Sequence, residues 1–110
     1  MRSDGRNAML QFDKEKMKGI LIEDLEYKDW AADITVEALG NLDESLQSVL
    51  DVWIETRTVT EFSFDGLSLR AIMEKDRCSF VTALIHMSTF MHEPWLRKEY
   101  MRTPFILRQH

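Results

Sequence analysis

The segment from residue 79 to 91, SFVTALIHMSTFM, constrains this chain more than any other. Wound as a helix, it places Phe80, Val81, Ala83, Leu84, Ile85, Met87, Phe90 and Met91 over well over half of its circumference. Such a helix has no wide wet face, so other elements must surround it. It is too short to cross a bilayer, which takes about 20 apolar residues. Ser79 supplies a hydroxyl that can accept from the free amides of the first turn. The chain is therefore expected to be mainly α, with about five helices packed around 79–91.

The other helices are marked by spacing and by caps. Asp13 suits a helix start, followed by Met17, Ile20, Leu21 and Leu25 on one face, with Asp24 interrupting the stripe. A second stretch, roughly Trp30 to Leu39, is closed by Gly40-Asn41, a pair suited to a left-handed helix end. Leu46, Val49, Leu50, Trp53 and Ile54 then repeat at helical intervals, and Asn41 with Glu44 resembles a capping box at the start. Pro94 suits the first turn of a last helix holding Trp95, Leu96 and Tyr100, and Pro104 ends it.

One segment breaks the helical pattern. TVTEFSFDGLSL, residues 58–69, turns about Asp65-Gly66, a dipeptide that accepts the positive φ angles of a tight hairpin. In that register Phe64 faces Leu67, Phe62 faces Leu69 and Glu61 meets Arg70. Leu69, Ile72 and Met73 also keep helical spacing, so a short strand or hairpin near 58–70 is expected to pass quickly into helix, an all-α fold being the alternative.

No repeat, low-complexity tract or linker divides the sequence. The expected organisation is a flexible N-terminal arm over 1–12 and a single helical domain over 13–110. A chain of 110 residues hides about two-thirds of its surface on folding, enough for a core without metal or disulfide. Cys78 is the only cysteine, and Met1 to Leu10 lacks the apolar run of a signal peptide, which points to a cytoplasmic protein with no membrane partner. Charge is unevenly spread: residues 1–55 hold 6 Lys/Arg against 13 Asp/Glu, whereas residues 56–110 hold 8 against 6. The acidic first half repels nucleic acid and anionic lipid.

The residues able to do chemistry form no recognised motif. His86 and His92 point about 120° apart on a helix, whereas a metal-binding HExxH pair shares one face. Cys78 has no CxxC partner, and a Cys78 nucleophile with a His86 base would have to be assembled by the fold. Glu23, Asp24, Glu26, Asp29 and Asp33 read as a solvated helix face. There is no Gly-rich phosphate loop. No catalytic residue, metal ligand or cofactor is assigned, and a non-enzymatic protein is favoured over a small enzyme with an unrecognised site around Cys78, His86 and His92.

Two segments carry binding expectations. LSLRAIMEKDRCS, residues 67–79, resembles the first helix and turn of helix-turn-helix proteins, among them small DNA-packaging subunits of phages. Asp76 stands where that pattern prefers an apolar residue and Arg77 where the turn usually has Gly. The resemblance implies a DNA-binding regulator over 67–91, of phage or mobile-element type, with Arg70, Lys75 and Arg77 on phosphates. Against it, residues 79–91 contain no Arg, Lys, Asn or Gln to read base edges.

The C-terminal stretch joins Trp95, Tyr100 and Phe105 to Arg97, Lys98, Arg102 and Arg108, and aromatic residues with arginine are common interface anchors. The favoured function is that of a small interaction or regulatory protein that binds another protein or a second copy of itself as a homodimer. Its surface is expected at Arg97, Lys98, Tyr100, Arg102 and Phe105, with Trp95 turned inward.

Overall fold

The structure, a computed structural model, describes residues 13–102. It is mainly helical with one short antiparallel hairpin, and the order is α1 (Lys14–Glu23), α2 (Asp29–Gly40), α3 (Glu44–Thr56), β1 (Ser63–Phe64), β2 (Leu67–Ser68), α4 (Leu69–Asp76), α5 (Phe80–His92) and α6 (Pro94–Arg102). The chain divides into two compact units, Met1–Arg57 and Thr58–His110. Among the described residues no helix is long and apolar enough to cross a membrane.

In the first unit, Asp13 caps α1 as its position suggested, accepting from the Lys16 amide at 3.1 Å. Helix α1 packs on α2, and Met17, Leu21, Leu39, Leu46 and Leu50 are fully buried. Two expected boundaries are corrected. Neither Gly40 nor Asn41 is left-handed; Gly40 ends α2, and Asn41 donates its side-chain amide to the Glu37 carbonyl at 3.2 Å. With Asn41 closing α2, it cannot also open α3, which starts after Asp43. The left-handed cap falls instead on Arg57, at the end of α3. Its guanidinium donates to the Ile54 carbonyl at 2.6 Å and to Asp24 at 2.8 Å, and lies 5.0 Å from the Trp53 ring centroid. Those contacts hold a non-glycine residue where glycine is the usual choice.

The second unit opens with the hairpin in the register read from the sequence. Phe64 pairs with Leu67, the Leu69 amide donates to the Phe62 carbonyl at 3.0 Å, and Arg70 meets Glu61 at 3.3 Å. Asp65 and Gly66 have φ of 52° and 87°, the two positive angles such a turn needs. Ser68 then accepts from the Ala71 amide at 3.0 Å, so the strand passes into α4 without a loop. Helix α5 packs against both α4 and α6, which makes it the centre of this unit. Its Val81, Ala83, Leu84 and Met87 are fully enclosed.

Candidate functional site

Three residues, Arg77-Cys78-Ser79, join α4 to α5. Arg77 is left-handed, with φ 53° and ψ 49°, the conformation for which helix-turn-helix turns usually use Gly. The Cys78 amide closes the turn on the Met73 carbonyl at 3.1 Å, and Ser79 caps α5 by accepting from the Thr82 amide at 3.3 Å. The connection is thus tight, and it sets the end of α4 against the middle of α5.

At that joint the side chain of Asp76 is only 6% exposed, and its Oδ2 lies 3.1 Å from His86 Nδ1. Cys78 is half-buried, and its thiol points to the Ile72 carbonyl at 3.9 Å. One ligand atom from each of Asp76, Cys78 and His86 lies within 4.8 Å of the other two. The fold therefore brings together the Cys78 and His86 that the sequence singled out, leaves exposed His92 at the end of α5, and adds Asp76. Asp76 was missed as a site residue, although its signal was present: a carboxylate where the helix pattern asks for an apolar side chain.

Asp76, His86, Thr89 and Phe90 line one side of an open cavity of about 380 Å³, and Leu96, Glu99 and Tyr100 of α6 line the other. The Phe90 and Tyr100 rings stack with centroids 4.6 Å apart, and Lys75 lies 4.3 Å from the Tyr100 ring centroid while donating to the Tyr100 carbonyl.

The orientation of α6 reverses the sequence expectation. Tyr100 and Arg97 are buried, whereas Trp95 is 64% exposed. The reason is that Arg97 is spent on the hairpin, with its guanidinium bound to the Asp65 carboxylate and donating to the Asp65 carbonyl at 3.3 Å. At about 100° per residue, Trp95, Lys98 and Arg102 share the opposite face, whereas Met101 lies about 120° from Trp95 and its sulfur accepts from the Arg97 guanidinium at 3.2 Å. All four are exposed. Phe105 lies outside the described residues, as does Arg108.

The three cations expected to meet DNA are dispersed in role. Arg70 is tied to Glu61 and donates to the Val59 carbonyl at 3.3 Å, Lys75 is held on Tyr100, and Arg77 is exposed in the turn. A second exposed apolar pair lies in the first unit, where Trp30 and Ile34, one turn apart on α2, are 65% and 62% exposed beside Asp29, Asp33 and Glu37. Lys18 bridges Asp29 at 3.2 Å and Asp33 at 2.9 Å, and those bonds raise its pKa. Comparison with protein families, curated proteins and solved structures finds no match to this chain.

Proposed function

We propose that this is a non-enzymatic interaction protein whose contact surface is the outer face of α6, formed by Trp95, Lys98 and Arg102. The observation that carries this reading is the exposed Trp95 with two cations on the same face. Tryptophan and arginine are enriched at the centres of protein interfaces, and a solvated indole gains by being covered. Arg97 and Tyr100, expected in the contact itself, support the face from behind by fixing α6 to the hairpin and to α5. The complementary surface is apolar and acidic. The α2 face offers that chemistry in part, with Trp30 and Ile34 exposed beside Asp29, Asp33 and Glu37, carboxylates that Lys18 and Lys14 already bridge at the surface, so a second copy of the chain is the first partner to test.

Light scattering across a concentration series, at low and raised salt, tests the self-association form of the reading. Wild-type protein is expected to associate more weakly as salt rises, and Trp95→Ala and Trp30→Ala are each expected to weaken it by about 2 kcal/mol.

The alternative, DNA binding through residues 67–91, is favoured by one feature, the three-residue turn with its left-handed Arg77. Against it, Arg70 is engaged by Glu61 and Lys75 by the Tyr100 carbonyl. An electrophoretic shift that fades steeply with salt would support it.

A further inference from the structure

We infer that Asp76, Cys78 and His86 form a binding site for a transition-metal dication of the zinc type, independent of the α6 surface. The donor set is one carboxylate oxygen, one sulfur and one imidazole nitrogen, all within 4.8 Å of each other. Magnesium and calcium take oxygen ligands, whereas thiolate together with imidazole selects zinc and its neighbours. The placement suits a tetrahedral ion. Two ligands at the usual zinc distances of about 2.0–2.1 Å stand about 3.3 Å apart, and His86 Nδ1 and Asp76 Oδ2 already stand 3.1 Å apart. The thiol lies within 4.8 Å of both, so it has to draw in by at most about 1.3 Å to bind at the zinc–sulfur distance of about 2.3 Å. Cys78 sits in the turn rather than in either helix, and its thiol makes a long contact of 3.9 Å to the Ile72 carbonyl.

The ion would offset the cost of a carboxylate that is 6% exposed and would join the end of α4 to the middle of α5 through three bonds. Asp76 and His86 also line the cavity, so the fourth position opens on space that can take water or a small anionic donor. Three protein ligands and one open position describe a site whose metal can take a further ligand.

Cobalt(II) alone, titrated into the reduced full chain, is the probe. The expected result is a thiolate-to-cobalt charge-transfer band with intense ligand-field bands, saturating at one ion per chain and displaced by zinc. Cys78→Ser is expected to abolish the charge-transfer band with circular dichroism unchanged. His86→Gln is expected to weaken cobalt binding at least about tenfold, since even the loss of a group behind a ligand commonly costs that much. His92→Gln is expected to change nothing. Absence of the charge-transfer band, saturation at one ion per two chains, full binding by His86→Gln, or loss of binding in His92→Gln would each overturn the assignment.

Discussion

His86 Nδ1 stands 3.1 Å from Asp76 Oδ2, so that a half-exposed imidazole on α5 partners a carboxylate that α4 has carried out of solvent. The two sides of this pair are unequal. Removing the imidazole takes a hydrogen-bond partner from a buried carboxylate, whereas removing the carboxylate leaves an imidazole that still reaches water. His86→Ala is expected to cost about 1–3 kcal/mol, while Asp76→Leu, which restores the apolar residue of the helix pattern, is expected to cost less. Urea denaturation of both variants measures the difference; equal losses would show that the pair does not act in this asymmetric way.

Leu84 is fully enclosed in α5, so Leu84→Asp places an ionised group where nothing can pair with it and is expected to cost several kcal/mol. Thr89, on the exposed side of the same helix, is expected to tolerate Ala with a change within about 0.5 kcal/mol. Thermal unfolding of the two variants provides the comparison.

Arg57 and Arg77 both adopt the left-handed conformation. Arg57 is held by the Ile54 carbonyl, Asp24 and the Trp53 ring, so Arg57→Gly is expected to destabilise by about 1 kcal/mol. Arg77 is exposed in a turn that glycine fits without steric penalty, so Arg77→Gly is expected to be neutral or to stabilise by up to about 1 kcal/mol. Chemical denaturation midpoints report the opposite signs.

Asp51 and Glu55 lie one turn apart on α3; Asp51 is exposed, yet local desolvation of its carboxyl, reinforced by the Glu55 charge, raises its pKa above the ordinary value. A carboxyl that binds its proton more tightly when folded favours the fold at low pH and penalises it once ionised. Asp51→Asn is therefore expected to stabilise by about 0.2–0.5 kcal/mol at neutral pH. The gain should vanish below the ordinary carboxylate range. Denaturation at the two pH values checks the sign.

Local chemistry made much of this fold legible. The Asp13 and Ser79 caps, the apolar arc of α5 and the hairpin register each depend on residues near one another in sequence, and the structure shows all of them. The face that α6 turns inward was not legible. It depends on Arg97 finding Asp65, which lies 32 residues away, and helical spacing alone treats Trp95 and Tyr100 as equal candidates for burial. The unit boundary after Arg57 has no Gly, Pro or Ser tract to mark it. The Asp76, Cys78 and His86 cluster was half visible: its cysteine and histidine drew attention by type, but only the tight turn at Arg77 shows that Asp76 joins them.

The proposed interaction surface is tested most directly by quantitative affinity capture from the native cell, comparing tagged wild-type chain with Trp95→Ala. Because Trp95 is 64% exposed, its truncation should leave the fold intact by circular dichroism, and Trp95 lies outside the buried face that holds α6 in place. The account predicts that the variant loses the captured protein, untagged copies of the same chain included, by about 2 kcal/mol of binding. If Trp95→Ala remains folded and captures the same proteins in the same amounts as wild type, the outer face of α6 is not the binding surface.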